Sequence, residues 1–400
     1  MPEFNKFTIL IPTKNRCETL EWAMKSCLQS SYPFLSVIVS DNCSTDNTRE
    51  MVASFRDPRV KYYCTPKALS MTANWEFALS KAEDGFVTIL GDDDGFLPDS
   101  FERINTLLNQ YKFKAISWKQ SFFRWPGNHY VRIPELLSIP LKRGVEVRQC
   151  GNILPKVLKC ALFPGDLPWL YGGFVDVSVI RALKDKGNGR FFYSKIPDIY
   201  SAMVLASELE NYIFSFTPLS IAGHSAKSNG AAQIQNKPEF EEQKNLFNKE
   251  SEDIPFHATL EFVHVYPIIV WETYLQSLDA GMQKYKGLAD GQMLLDLAIS
   301  DAISLGFLDK ERGKLERIAF KNQLKFEVPG NKIKIGLQKI FLKLNQYYVE
   351  WTGSVFINIS EYKIENIFAA SIKHNEIYQN YHNKLKVIAH NFVLLLKHAL

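Results

Sequence analysis

"FVTILGDDDGFLPD", residues 86–99, runs an apolar segment straight into three consecutive aspartates, Asp92, Asp93 and Asp94. Adjacent carboxylates repel one another, so a counter-charge must offset the repulsion or water must screen it. A tight carboxylate cluster at a strand end suits a hard divalent cation such as Mg²⁺ or Mn²⁺, which prefers oxygen ligands and bridges carboxylates to phosphate oxygens. The plainer alternative is a solvated acidic turn in which Asp94-Gly95 makes the bend. What surrounds the stretch decides between them.

Upstream, strand and helix signals alternate. "FTILIP" (7–12), "LSVIVSD" (35–41), "VKYYCT" (60–65) and "FVTIL" (86–90) read as short buried strands. Between them lie helical stripes: Leu20, Ala23, Met24, Cys27 and Leu28; the segment 44–55, with Ser44 or Asp46 as its cap; and Met71, Trp75, Ala78, Leu79 and Ala82. A further helix follows Pro98. Such repeats predict an α/β fold with a largely parallel sheet flanked by helices. In these sheets ligands bind beyond the carboxyl ends of the strands. Three of those ends carry polar segments: "PTKNR" (12–16), "SDNCSTD" (40–46) and "GDDDG" (91–95). They converge on one crevice. Thr13, Asn15 and Arg16 are candidate nucleotide contacts. Asp41 is a candidate acceptor for base N–H or ribose hydroxyl groups, or else a cap for the following helix.

The remaining properties bound the answer. A chain of 400 residues can bury a large core and suggests two domains, or one with an appendage. Its formal charge of +4 gives no chain-wide nucleic-acid footprint. Six cysteines without a C-x-x-C pair argue against zinc or a disulfide framework and for a reducing, cytoplasmic setting. The N-terminus lacks the pattern of a signal peptide, and no run of about 18 apolar residues is present.

"FTILIPTKNRCETLEWAMKSCLQSSYPFLSVIVSDNCSTDNT" (7–48) and "MTANWEFALSKAEDGFVTILGDDDGFLPD" (71–99) resemble the family 2 inverting glycosyltransferases of the GT-A fold. The likeness covers roughly residues 5–110, and 165–235 more loosely. It implies a nucleotide-diphosphate-sugar donor, most often UDP-linked, with Pro12, Thr13, Arg16 and Asp41 lining the nucleoside pocket and Asn74 matching the donor-side position that follows it. Aligned on Leu90 and Pro98, Gly91 stands where many members carry the first Asp of the DxD-type motif. Asp93 and Asp94 match the retained pair and Asp92 takes a variable place. The metal ligand therefore lies among Asp92, Asp93 and Asp94.

Transfer with inversion needs a general base on the acceptor hydroxyl, distinct from the metal cluster. In "KIPDIYSAM" (195–203), Asp198 matches the family's catalytic Asp, although Pro197 replaces the usual Glu before it. Its ordinary alternative is a helix N-cap. "YGGFVDVSV" (171–179) resembles the acceptor-side segment, with Gly172 and Gly173 allowing close backbone approach and Trp169 and Tyr171 able to stack on a sugar. His224 is a candidate metal or diphosphate ligand, with Lys227 and Ser228 beside it on a loop suited to closing.

The expected organisation is a glycosyltransferase domain over 1–235, a charged, amide-rich linker over 236–253, and a helical C-terminal domain over 254–400. Helical patterns cover 256–278 and 291–305. Near the end Val387, Ile388, Phe392, Leu395 and Leu396 form an apolar face beside Lys384, Lys386 and Lys397. This face could meet an anionic membrane holding a lipid-linked acceptor, the rest of the chain, or a second subunit. The resemblance thus points to a metal-dependent enzyme that moves a sugar to a glycan or lipid-linked acceptor in bacterial surface polysaccharide biosynthesis. Two rivals are a sugar-1-phosphate nucleotidyltransferase, whose glycine-rich first loop "IPTKNRCETL" lacks, and a non-catalytic scaffold.

Overall fold

The computed structural model describes residues 3–127, 135–228, 240–328, 353–381, 387–388 and 390–391. The order is β1 (Phe7–Thr13), α1 (Cys17–Leu28), β2 (Leu35–Asp41), α2 (Thr48–Ser54), β3 (Val60–Cys64), α3 (Met71–Leu79), β4 (Phe86–Ile89), β5 (Gly95–Phe96), α4 (Ser100–Tyr111), β6 (Ala115–Trp118), β7 (Ser121–Arg124), β8 (Leu136–Pro140), β9 (Val145–Gln149), α5 (Cys150–Leu158), β10 (Gly173–Asp176), α6 (Val177–Lys186), α7 (Pro197–Glu208), β11 (Asn211–Ser215) and β12 (Ser220–His224). There follow α8 (Glu241–Glu250), α9 (Tyr266–Asp279), α10 (Gly291–Ser304), α11 (Leu308–Lys321), β13 (Ser354–Asn358) and α12 (Ile367–Asn380).

The expected α/β class is present. The main sheet has the order β3-β2-β1-β4-β10-β6-β11-β9, with β10 and β9 antiparallel to their neighbours and the rest parallel. Its inner strands β1, β2, β4, β6 and β10 are buried on both faces, which is why β1, β2 and β4 read as continuous apolar runs, whereas the edge strands β3 and β9 are partly exposed. Strand alternation divides the faces. Leu10 and Ile38 meet α3 and α7 through Trp75, Ala78 and Leu205. Ile9, Ile11, Val37 and Val39 meet α1 and α4 through Leu20, Met24, Phe101 and Ile104. Register sets Thr13 beside Asp41, and Asp41 beside Cys64, at the carboxyl edge.

A second sheet, β13-β8-β7-β12-β5, stands against that edge. One of its ties to the main sheet is the aspartate turn, which leaves β4 in one sheet and enters β5 in the other. The segment 120–165, for which the sequence predicts only loops and one or two short elements, supplies β7, β8, β9 and α5.

Two expectations about organisation are corrected. Within the expected linker, residues 241–250 form α8, with Lys244 and Phe247 buried. Lys14 in the first loop bonds Glu250 at 2.6 Å, and Ser70 bonds Asp253 at 3.1 Å, so this segment is packed against the N-terminal part of the chain. Nor is 254–400 one helical unit. Residues 260–319 contribute an apolar cluster around α9, α10 and α11, and α9 packs on α7. Strand β13 instead completes the second sheet through β8, and α12 lies on α1, with Trp22 stacked on Phe368. The helix expected over 256–278 starts only at Tyr266, with Pro267 in its first turn, where proline is tolerated. The terminal apolar face lies mostly outside the described residues; Val387 is buried and Ile388 is exposed.

Candidate active site

The three polar strand ends do meet. Asn15 adopts a left-handed φ of 54°, which turns its backbone N–H to Ser44 Oγ at 2.8 Å and its side-chain oxygen to the N–H of Thr45 at 2.7 Å. The loops after β1 and β2 are thereby fastened together, with Pro12 half-buried at the rim. Asp41 is buried; its Oδ1 accepts from the N–H of Ser44 at 2.9 Å and its Oδ2 from the Tyr62 hydroxyl at 2.5 Å. Its carboxylate thus organises the loop that follows it.

All three aspartates are buried, at 3%, 4% and 1% exposure in chain order. Asp92 accepts from Thr13 Oγ1 at 2.7 Å and pairs with Arg16 at 2.9 Å. Asp94 accepts from the N–H of Gly91 at 3.0 Å and of Gly223 at 2.6 Å, while the Tyr171 hydroxyl faces it and favours its ionised form. Burial, and then the charge of Asp93, push the Asp94 carboxyl up to about 7. Asp92 is also raised, by burial first, with Arg16 opposing. These groups want positive charge and receive one guanidinium.

Asp93 differs from its neighbours. Both hydrogen bonds to its side chain, from the N–H of Ser225 at 3.2 Å and from Ser225 Oγ at 2.7 Å, go to Oδ2. Oδ1 of Asp93 is the one oxygen among the three carboxylates that no described protein group bonds. A hard cation fits such an oxygen, and it would offset the mutual repulsion of the cluster.

The motif's departure at position 91 has a steric cause. A Cβ on Gly91 would stand 2.6 Å from Tyr171 Oη and 2.7 Å from Asp94 Oδ2. The tyrosine hydroxyl occupies the space a first aspartate of the motif would need.

Tyr171 connects the cluster to Asp198. Its ionisation is opposed by burial and by the charges of Asp94, Asp93 and Asp198 together. Asp198 lies in the first turn of α7, which begins at Pro197; the cap position is Ile196, with no side-chain cap bond. The N-cap alternative is therefore excluded. Burial raises the Asp198 carboxyl, opposed by the N–H groups of Ile199 and of Asp198 itself.

Other candidates serve the scaffold. Asn74 is buried and bonds Ser40 through both ends of its amide, at 2.7 Å and 3.3 Å, tying α3 to β2. A Cβ on Gly173 would lie 2.5 Å from the Trp169 carbonyl, so that glycine serves packing. Gly172, at φ 109°, turns the chain beside Gln120. Trp169 is buried edge-on to Tyr171, which stacks on Trp75. His224 has its ring edge-on to Phe122 at 4.7 Å, and burial and then Arg124 push it down to about 4. Alternation along the chain gives Asp93 to Ser225 and turns His224 away. Among the described residues no group of three or more His, Cys, Asp or Glu side chains is gathered around a metal position.

The loop after β12 folds onto the first loop. Arg16 donates to the carbonyl of Lys227, Lys227 Nζ reaches the carbonyl of Asn15 at 3.4 Å, and the N–H of Ser228 bonds Ser225 at 3.1 Å. Sequence reasoning missed Ser225, Gly223, Trp125 and Tyr62. Gly223 carried a usable signal: a Cβ there would overlap the Asp93 carbonyl at 1.8 Å, so only glycine admits the aspartate turn. Trp125 donates to that same carbonyl at 2.9 Å.

The largely parallel α/β sheet with a buried aspartate turn at its carboxyl edge is the setting a glycosyltransferase fold provides. Residues 8–164 match the family model described as glycosyl transferase family 2. A Campylobacter jejuni GalNAc(5)-diNAcBac-PP-undecaprenol beta-1,3-glucosyltransferase is 32% identical over 108 residues, 26% of this chain and 35% of the relative. The Escherichia coli UDP-Glc:alpha-D-GlcNAc-diphosphoundecaprenol beta-1,3-glucosyltransferase WfgD is 30% identical over 95 residues, 24% of this chain and 38% of that protein. The chain thus matches little more than a third of these relatives' length. Among solved structures, S. aureus TarS 1-349 in complex with UDP-GlcNAc aligns over 80% of this chain and 93% of that one, at 16% identity and a TM-score of 0.47. No helix among the described residues is long and apolar enough to cross a membrane.

Proposed function

We propose that the chain transfers a sugar from a nucleotide-diphosphate donor, UDP-linked, to a hydroxyl of a glycan or lipid-linked acceptor, with inversion and with a divalent cation, in bacterial surface polysaccharide synthesis. The observation that carries this reading is the crevice itself. Buried Asp92, Asp93 and Asp94 stand with Thr13 and Arg16 at the ends of the strands, and the charges of Asp93, Asp94 and the half-buried Asp198 all act on the Tyr171 hydroxyl. The family match and the printed activities of the two glucosyltransferases support the reaction class. A cytoplasmic setting with peripheral membrane contact accompanies this reading.

Each group has a task. The loops after β1 and β2 hold the nucleoside, and Arg16 adds positive charge beside the diphosphate. Mn²⁺ or Mg²⁺ would be held by Asp93, with Asp94 beside it, and would stabilise the charge developing on the leaving diphosphate. Asp198 takes the proton from the acceptor hydroxyl. Its buried surroundings favour the neutral acid and so make its carboxylate a stronger base. The Tyr171 hydroxyl bonds Asp94 and feels the charges of both Asp93 and Asp198.

The test is a transfer assay with a panel of UDP-sugars on wild type and Asp198→Asn. The reading expects turnover to fall by about 10²-fold or more while UDP binding is retained. Unchanged turnover would remove Asp198 as the base, and a folded wild type inert to every donor would favour a scaffold.

A further inference from the structure

At the other end of β12 from the aspartates lies a cavity of about 340 Å³. The strand's five residues place it roughly 15 Å from Ser225. Arg103 of α4, Arg143 from the turn between β8 and β9, and His374 and Tyr378 of α12 line it, with apolar walls from Pro98 and Leu219. No aspartate or glutamate is among the described residues that line it.

The charges here are unbalanced. Arg103 is exposed, and its guanidinium has no hydrogen bond or ion pair among the described residues. Arg143 lies over the Tyr378 ring at 3.5 Å and donates to the carbonyls of Pro140 and Lys142; among the described residues it meets no carboxylate. Burial, and then the charge of Arg103, make its ionisation harder. His374 is buried, bonded to Ser121 Oγ at 2.8 Å, and held neutral at pH 7 by burial and by both arginines. The start of the 12-residue helix α4, at Ser100, also faces the cavity and adds its partial positive charge.

We propose that this cavity is a second ligand site, separate from the donor crevice, that takes a small phosphoryl-bearing anion. Two guanidinium forks beside a helix start match the several acceptor oxygens of a phosphoryl group better than a point charge would. The apolar wall of Pro98 and Leu219 leaves room for an organic substituent. The same chemistry is offered by a free phosphate monoester and by an anionic lipid headgroup.

The test uses the full chain with UDP and Mn²⁺ present at saturation to occupy the donor crevice. Glycerol 1-phosphate is titrated calorimetrically, and vesicles of phosphatidic acid or of phosphatidylcholine are cosedimented, with wild type and with Arg103→Gln. Arg103 is exposed, so the variant should fold, as circular dichroism and unchanged UDP binding would show. The expected result is saturable binding by wild type, weakened about tenfold or more in Arg103→Gln through loss of a charged hydrogen-bond donor. An effect on the free ester identifies a soluble ligand, and an effect confined to phosphatidic acid vesicles identifies a lipid one. Binding equal in the two proteins, or absent from both probes, would overturn the proposal.

Discussion

Ser225 reaches Asp93 from the second sheet, placing its N–H at 3.2 Å and its hydroxyl at 2.7 Å on the same carboxylate oxygen. This pairing holds the carboxylate in one orientation with Oδ1 turned away from protein donors. Ser225→Ala keeps the backbone bond and loses the hydroxyl. Stability should fall by about 1 kcal/mol, and Mn²⁺-dependent UDP binding should weaken several-fold. Urea denaturation and calorimetry read the two effects. Unchanged binding would show that Asp93 needs no such orientation.

The pair of Arg16 with Asp92 behaves differently, because one partner is almost wholly enclosed. The side chains are 17% and 4% exposed. Arg16→Met should destabilise the metal-free protein by about 3 kcal/mol, since it leaves Asp92 buried without its counter-charge. Adding Asp92→Asn to that variant should recover part of the loss. A double mutant no more stable than the single one would contradict the pairing as the source of the cost.

Gly91 is closed to any side chain. Gly91→Ala forces a methyl against Tyr171 Oη and Asp94 Oδ2, and overpacking of this kind costs about 1–3 kcal/mol. Thermal denaturation of Gly91→Ala, and of Gly91→Ala with Tyr171→Phe, checks the cause. Removing the hydroxyl should restore part of the stability; an identical loss in both variants would point to Asp94 alone.

Much of this was legible beforehand. Three of the four strands of the first ninety residues, β1, β2 and β4, are buried on both faces, so their apolar runs and the polar residues that end them stand out. Thr13, Arg16 and the three aspartates were readable for that reason. The second sheet was not. Its strands between 121 and 140 are short, β7 takes β12 as a partner about a hundred residues on, and β13 joins β8 from more than two hundred residues away. Ser225 and Trp125 could not be placed without it. The charged stretch 241–250 reads as linker because few apolar residues mark its buried side. His224 has the right chemistry for a ligand, but the backbone alternation that turns it towards Phe122 is fixed by pairing with β7.

Behind α7, Glu272 supports the turn that carries Asp198. Ser194 Oγ donates to it at 2.5 Å and Gln276 at 3.0 Å, and burial pushes its carboxyl from 4.5 up to about 7. The native state therefore keeps a proton that the unfolded chain releases between those values, so this group lowers stability as pH rises through the window. Glu272→Gln should remove that fall, by at most about 3 kcal/mol at pH 8, and change little at pH 4. Denaturant titrations of both proteins across pH 4–8 measure it; parallel profiles would contradict a protonated Glu272.

The central claim is that the aspartate turn holds a metal-bound nucleotide diphosphate. Its most direct test is calorimetric titration of UDP in Mn²⁺ and again in EDTA, on wild type and on Asp93→Asn. The account predicts binding that requires the metal and is lost in the variant while its fold persists. UDP binding that is indifferent to EDTA, or equal in the two proteins, would contradict it.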